Sequence, residues 1–130
     1  MVIHRAIKVI SFEEVERLSA FRCEDGIVNL YLCARPEPSN AGRFLSQFRQ
    51  AFDRFRRRTT NPIWLQAAER EKSRIEDYLR WRRPVRGSLV LYSCQPAHLW
   101  EIFDMDIPVP IVLDVGSTAR TGILARACEE

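Results

Sequence analysis

One stretch constrains the fold more than any other part of the chain: residues 87–104, which read GSLVLYSCQPAHLWEIFD. Ser88–Cys94 is a short run of apolar and β-favouring side chains, and His98–Phe103 runs extended again, with a glutamate among apolar neighbours. Gln95–Ala97 between them is a turn, because Pro96 fixes its own φ and cannot donate to a ladder. The pattern predicts a β-hairpin. Since the first run is apolar on both faces, we expect the hairpin at the centre of a sheet that helices cover.

The composition is that of a globular chain that folds as one unit. Of its 130 residues, 46% are hydrophobic and 28% are charged, which allows a sizeable core. No apolar run approaches the roughly 20 residues that cross a bilayer. The segment Met1–Ile10 alternates apolar and polar residues and lacks the apolar centre of a signal peptide. We therefore expect a single domain over residues 1–130, located in the cytoplasm and without membrane contact.

Two long helices are predicted between residues 41 and 82. A phenylalanine stripe at helical spacing predicts that the helix over 41–58 packs on the sheet. Asn61 is a good N-cap and Pro62 suits the first helical position, so a second helix is expected over 62–82. The short connection predicts an antiparallel helical hairpin, unless the two helices merge into one kinked rod. In the second helix we expect Trp64, Ala68, Ile75, Tyr78 and Leu79 to be buried, with Glu71, Arg74, Glu76 and Arg80 on the outside.

The remaining elements complete the fold class. Ser11 and Glu14 form a capping-box pattern, which predicts a helix over 12–21 that ends in the polar stretch 22–26. Strands are expected over 27–33 and 107–115, and the prolines at 108 and 110 place the latter at a sheet edge. The other expected elements are an edge strand within 2–10, a turn or loop over 116–121 and a helical turn within 123–130. The sequence predicts an α+β fold: a mostly antiparallel sheet of four to five strands, flanked by three helices that include the long helical hairpin. Leu30, Leu91 and Ile102 are expected in its core.

Few residues suggest catalysis or metal binding. The four cysteines, Cys23, Cys33, Cys94 and Cys128, form no C-x-x-C pair, and we expect buried thiols without a disulfide. Cys33 and Cys94 each lie near a predicted strand end and are candidate neighbours. Cys94 and His98 flank the hairpin turn, but no orienting group or oxyanion site accompanies them. Asp104 and Asp106 are expected to be solvated turn residues. No metal-ligand spacing or glycine-rich phosphate loop is present, so we expect no cofactor, no metal and no catalytic residue.

Basic residues concentrate at the ends of the two long helices. The first basic cluster is Arg54, Arg56, Arg57 and Arg58; the second is Arg80, Arg82, Arg83 and Arg86 together with Trp81. Cations at helix C-termini are favoured by the macrodipole, and this explanation needs no ligand. The functional interpretation is a phosphate-binding surface in which Trp81 is available for stacking on a base. An antiparallel pair would place the two clusters at opposite ends.

Several motifs together resemble a known family. The strand 27–33 (IVNLYLC), the arginine-rich helix pair and the run from Arg86 to Pro110 (RGSLVLYSC…LWEIFDMDIPVP) are similar to the N-terminal domain of the bacterial members of the archaeo-eukaryotic peptide chain release factor family. Those domains typically show a strand similar to SLYLD, two helices, a strand similar to GLALF, and then LWE and PVP. The resemblance spans about Phe12 to Leu124 and rests on structural motifs. It implies a sheet flanked by helices and a role in translation.

The sequence also departs from that family. The Gly-Gly-Gln motif for peptidyl-tRNA hydrolysis, which belongs to a second domain in the family, is absent, as is the stop-codon-reading motif Asn-Ile-Lys-Ser. The Asp that commonly follows the first strand is replaced by Ala34-Arg35. No functional residue therefore carries over, and we expect either a freestanding N-terminal domain or a fragment.

Three functions are compatible with these observations. The leading one is a non-catalytic, translation-associated module that contacts the ribosome, tRNA or rRNA. The alternative is a protein-interaction or homodimerisation domain without a nucleic-acid role. A small hydrolase that uses Cys94 is a third. Salt-sensitive RNA binding, a stable homo-oligomer and thiol reactivity, respectively, distinguish them.

Overall fold

The computed structural model describes residues 11–33, 43–81, 88–105 and 107–128, which form four α-helices around one four-stranded sheet. In chain order the elements are α1 (Phe12–Ser19), β1 (Arg22–Cys33), α2 (Arg43–Arg58), α3 (Pro62–Trp81), β2 (Ser88–Cys94), β3 (Leu99–Met105), β4 (Val112–Thr118) and α4 (Gly122–Cys128). A short 3-10 helix, Gln95–Ala97, joins β2 to β3. None of the described helices is both long and apolar enough to cross a membrane. The predicted α+β class is confirmed.

The sheet has the strand order β3-β2-β1-β4, and every neighbouring pair is antiparallel. Leu30 in β1 lies opposite Leu91 in β2 on one side and opposite Leu113 in β4 on the other. The predicted hairpin is confirmed as β2 and β3, although only β2 lies in the interior and β3 forms an edge. β4 forms the other edge, as predicted. It begins at Val112, beyond the two prolines, because a proline has no N–H group for a ladder.

Both faces of the sheet are covered, so the domain has three layers. Successive side chains of a strand point to opposite faces, and in β1 the buried leucines alternate with Ile27 and Tyr31. The leucine face packs against the helical hairpin α2–α3, and its core contains the buried residues Val28, Leu30, Leu32, Phe44, Phe48, Phe52, Phe55, Leu89, Leu91 and Leu113. The opposite face packs against α1 and α4 through Val15, Leu18, Tyr92, Phe103 and Leu124. The predicted phenylalanine stripe is therefore a core stripe.

Capping signals in the sequence position two of the helices. The Ser11 Oγ accepts a hydrogen bond from the Glu14 N–H at 3.2 Å, which begins α1 as predicted. The Asn61 Oδ1 accepts from the N–H groups of Ile63 at 2.9 Å and Trp64 at 3.3 Å, which begins α3. The helices α2 and α3 are separate and antiparallel, since the Arg49 guanidinium contacts Glu76 at 3.1 Å. The predicted helical hairpin is confirmed.

The first strand begins earlier than its polar side chains suggested. β1 starts at Arg22, and Arg22 pairs with Thr118 before an irregularity that ends at Ile27. Gly26 lies inside this irregularity with φ +98°, where a Cβ atom would meet the Ala67 Cβ of α3 at 2.7 Å. Backbone pairing with β4 thus forms a strand where helix-ending residues were expected. The same pairing extends β4 to Thr118, whereas a turn or loop was expected from residue 116.

Burial departs from expectation in α3. Ile75, Ala68 and Leu79 are buried as predicted, but Trp64 and Tyr78 are only half-buried. Glu71, expected on the outside, is completely buried because its carboxylate faces the end of β2. In the sheet, Leu30 and Leu91 are buried as predicted, whereas Ile102 on the edge strand β3 is half-buried. The edge strand expected within residues 2–10 lies outside the described residues.

Candidate nucleic-acid interface

Positive charge is concentrated on α2. The helix contains six arginines and one aspartate, a net charge of +5 over 16 residues, whereas the whole chain carries +3. Its phenylalanines face the sheet, so the arginines occupy the remaining sides of the helix. Three of them, Arg56, Arg57 and Arg58, lie in the last turn, where the macrodipole favours cations. The concentration of charge on one surface helix makes α2 the leading candidate for contact with an anionic partner.

All four arginines of the first basic cluster are exposed, and Arg56 and Arg57 are the two that share one carboxylate. Both guanidinium groups contact the Asp53 carboxylate, at 2.7 Å and 2.8 Å, and their side chains remain 56% and 76% exposed. Two cations share one anion, so one positive charge is left over at this position. Exposed ion pairs of this kind contribute only about 0–1 kcal/mol. A phosphate can therefore compete for these two arginines.

Arg54 and Arg58 turn towards the sheet edge. Their Nη2 atoms donate to the backbone carbonyls of Ile111 and Leu113, each at 3.5 Å. These carbonyls belong to β4 and the residue before it, on the open edge of the sheet. Charged side chains over an edge hinder the addition of a further strand. We interpret these two arginines mainly as edge cover that the sequence alone could not reveal, because it depends on how α2 lies beside β4.

The groove between α2 and α3 adds basic residues to the same surface. It encloses about 350 Å³ and is lined by Arg49, Gln50, Phe52, Asp53, Arg56, Lys72 and Glu76. The Lys72 ammonium lies 5.0 Å from the centre of the Phe52 ring, a cation–π contact. Three cations face two carboxylates, so the groove keeps a positive excess. The groove continues the surface formed by Arg56 and Arg57. We call the basic residues Arg49, Arg56, Arg57 and Lys72 together the α2 basic surface.

The two described members of the second basic cluster, Arg80 and Trp81, are not part of that surface. Arg80 contacts Asp77 at 3.1 Å, and the Trp81 side chain is 81% exposed. Arg82, Arg83 and Arg86 lie outside the described residues. Arg49 on α2 lies opposite Glu76 on the antiparallel helix α3, so Arg56 lies opposite about position 69 of α3. At 1.5 Å per residue, Arg80 is therefore about 16 Å from Arg56 along the helix axis. The structure therefore places Arg80 and Trp81 at the opposite end of the helical hairpin from the first cluster.

A buried polar cluster on α3 was missed in the sequence. The Glu71 Oε2 accepts from the Arg70 Nε at 2.6 Å and the Gln95 N–H at 3.0 Å, and its Oε1 accepts from the Arg74 Nη2 at 3.0 Å and the Ser93 Oγ at 2.7 Å. Burial alone would raise the pKa of Glu71, but the hydrogen bonds from Gln95, Ser93 and Arg70 outweigh it and lower the pKa overall. Both oxygens of an ionised carboxylate are thus occupied. The cluster joins α3 to the β2–β3 hairpin.

The thiol of Cys94 lies in surroundings that disfavour its thiolate form. Burial, together with the hydrogen bond to Cys23, raises the pKa of Cys94 to about 11, so the thiol form predominates near neutrality. His98, on the turn, is exposed and has a left-handed backbone with φ 55°. The expected proximity of Cys33 and Cys94 is wrong: Cys33 pairs with Ser88, at the other end of β2, and the sulfur near Cys94 is that of Cys23. Within the described residues, no group of three or more His, Cys, Asp or Glu side chains is arranged to hold a metal ion.

The comparisons with known proteins concern the fold. No family model and no curated protein matches the sequence. A solved structure titled "Archaeal protein" is similar, with a TM-score of 0.59 and 20% sequence identity over 93% of this chain. The chain spans 36% of the length of that protein. At this level of identity the likeness shows a shared fold alone.

Proposed function

We propose that this chain is a non-catalytic, translation-associated module whose α2 basic surface contacts the phosphate backbone of ribosomal or transfer RNA. The observation that carries the proposal is the net charge of +5 on α2, which exceeds the net charge of the whole chain. The resemblance to a release factor N-terminal domain supports the choice of RNA. The contribution proposed for residues 1–130 is binding.

The chemistry of the contact is that of guanidinium groups on phosphate. Arg56 and Arg57 offer planar donors that suit phosphate oxygens, and both are more than half exposed. Arg49 and Lys72 extend the surface along the groove. Contacts of this type are independent of base sequence and release counterions on binding. We therefore expect affinity for structured RNA with little sequence preference.

A protein-interaction or homodimerisation domain without a nucleic-acid role is the second candidate. The observation that favours it is Trp81, whose side chain is 81% exposed at the end of α3. Exposed tryptophans are typical anchors at protein interfaces. Light scattering on the wild type and on a Trp81→Ala variant separates the two functions. A dimer that Trp81→Ala dissociates, together with no RNA affinity, supports this second candidate.

Binding of fluorescently labelled tRNA and of a ribosomal RNA fragment, followed by anisotropy at low salt, tests the first proposal. The test variant is Arg56→Ala/Arg57→Ala. The control is Arg17→Ala/Arg120→Ala, which also removes two cations, each paired with a carboxylate, from the opposite face of the sheet. We expect the test variant to bind about twofold to thirtyfold more weakly, since exposed charge contacts contribute about 0.2–1 kcal/mol each, and the control to bind as the wild type does. Equal affinities of the two variants would refute the assignment to α2.

A further inference from the structure

Two cysteine sulfurs lie in contact at the end of the β1–β2 ladder. The Cys94 Sγ is 3.3 Å from the Cys23 Sγ, and both residues are free cysteines in the structure. They are 71 positions apart in the sequence, so the fold alone brings them together. Cys23 lies within the irregular part of β1 between Arg22 and Ile27.

The surroundings give the two thiols different roles. Cys23 is partly exposed, so a small solute can reach its sulfur. The thiol donates a hydrogen bond to the Asp25 carboxylate at 3.8 Å. Cys94 is buried, with the Arg70 Nη2 at 3.8 Å from its sulfur. Arg70 also donates to the backbone carbonyls of Asp25 at 3.2 Å and Gly26 at 2.9 Å. One guanidinium therefore holds the Cys23 end of β1 against Cys94.

We propose that Cys23 and Cys94 form a reversible redox pair, which a hydroperoxide converts into an intramolecular disulfide. In the first step the Cys23 sulfur attacks a peroxide oxygen, the O–O bond breaks, and Cys23 becomes a sulfenic acid while water or an alcohol leaves with the thiol proton. In the second step the Cys94 sulfur attacks the Cys23 sulfur, the S–O bond breaks, and the hydroxyl group leaves as water with the Cys94 proton. The two thiols are oxidised by two electrons in total and the peroxide is reduced. A dithiol reverses the reaction by thiol–disulfide exchange.

The raised pKa of Cys94 makes the second step slow near neutral pH, because thiolate is the attacking form. The contact with Cys23 compensates, since the sulfenic acid forms beside its partner. The crosslink encloses α2 and α3 in a loop of about 70 residues and thus restricts the unfolded chain. We expect the oxidised protein to melt on the order of 10 °C higher than the reduced protein. This inference is independent of the proposed RNA contact.

The experiment exposes the folded, reduced protein to hydrogen peroxide, blocks remaining thiols with N-ethylmaleimide under denaturing conditions, and maps peptides by mass spectrometry. The expected product is a Cys23–Cys94 linked peptide, lighter by two hydrogens, that dithiothreitol removes together with the increase in Tm. A product in which both cysteines are alkylated, or in which either is linked to Cys33 or Cys128, overturns the proposal.

Variants identify the roles of the two thiols. Cys23→Ser should lose the link and the rise in Tm, whereas Cys33→Ser should retain both. In Cys94→Ala the sulfenic acid on Cys23 has no partner, and dimedone should trap it there. If Cys94→Ala does not fold, Cys23→Ser still tests the link. The Cys23 side chain is only partly buried, so we expect this variant to fold. A link that persists in Cys23→Ser, or an unlabelled Cys23 in folded Cys94→Ala, contradicts the mechanism.

Discussion

Replacement of Glu71 by glutamine removes one charge from the centre of the buried polar cluster and preserves the shape of the side chain. The carboxylate accepts four hydrogen bonds, from Arg70, Arg74, Gln95 and the Ser93 hydroxyl. Of these four groups only the hydroxyl can also accept, as it does from Arg74. A glutamine oxygen can replace one carboxylate oxygen, and its amide nitrogen must then face at least one guanidinium or backbone N–H group that can only donate. The substitution therefore leaves at least one donor without its acceptor whichever way the amide is turned.

The expected decrease in the free energy of unfolding follows from the burial of Glu71. Glu71 is completely buried, and removal of one partner from a buried ion pair costs about 3–5 kcal/mol. The side chains of Arg70 and Arg74 are 29% and 32% exposed, so both arginines regain part of their hydration when the anion is removed. This recovery reduces the cost. We expect Glu71→Gln to lower the free energy of unfolding by about 2–3 kcal/mol, a large part of the 5–15 kcal/mol typical of a domain.

Urea unfolding followed by circular dichroism at pH 7 measures this decrease in stability. Glu69→Gln is the matched control, because Glu69 lies two positions earlier on the same helix and is exposed. Its free energy of unfolding should stay within about 0.5 kcal/mol of the wild type. If Glu71→Gln costs no more than Glu69→Gln, the cluster does not join α3 to the hairpin in the manner described.

The pH dependence gives a second readout of the same substitution. The pKa of Glu71 in the folded protein lies below its ordinary value of 4.5. Its contribution to stability is therefore complete above pH 4.5 and is lost as the pH falls through the lower, folded value. The difference between wild type and Glu71→Gln should shrink as the pH falls below 4.5. A difference that stays constant into acid would show that the charge contributes nothing.

Three further expectations concern the core and the surface. Gly26→Ala should destabilise by about 2–4 kcal/mol in urea unfolding, because φ is positive and the new Cβ would overlap α3, whereas Gly122→Ala, with open space around it, should cost nothing. The hydroxyls of Tyr31 and Tyr92 both donate to the backbone carbonyl of Arg120, at 2.7 Å and 2.6 Å. Each change to Phe should cost about 1 kcal/mol, and the double variant more than the sum, because the carbonyl then loses its last hydroxyl donor. Trp81→Ala should leave stability within about 0.5 kcal/mol and remove the tryptophan fluorescence that acrylamide quenches most readily.

Local patterns predicted the elements correctly where short-range physics decides. The hairpin turn at Gln95–Ala97, the N-caps at Ser11 and Asn61 and the phenylalanine stripe all depend on residues within one or two turns of each other. Each is present in the structure. Hydrophobic periodicity and helix capping were therefore sufficient to predict the α+β fold class and the helical hairpin.

Features that depend on distant contacts could not be predicted in this way. Glu71 follows Arg70 directly and has Arg74 at i+3, a pattern typical of an exposed helix face, and only the approach of Ser93 and Gln95 explains its burial. Cys23, which contacts Cys94, lies in an irregular part of β1 whose polar side chains indicated no strand. In the candidate interface, the sequence identified the arginines of the first cluster. It could not show which of them cover the edge of β4.

The slope of log affinity for tRNA against log salt concentration tests the central claim most directly, because it reports the number of neutralised phosphates rather than overall affinity. We expect the wild type to bind more weakly as salt rises. Arg56→Ala/Arg57→Ala should reduce the magnitude of the slope by about 0.7–0.9 for each arginine that neutralises a phosphate. The control Arg17→Ala/Arg120→Ala should keep the wild-type slope. Identical slopes for all three proteins, or no binding at low salt, would contradict the assignment of RNA contact to the α2 basic surface.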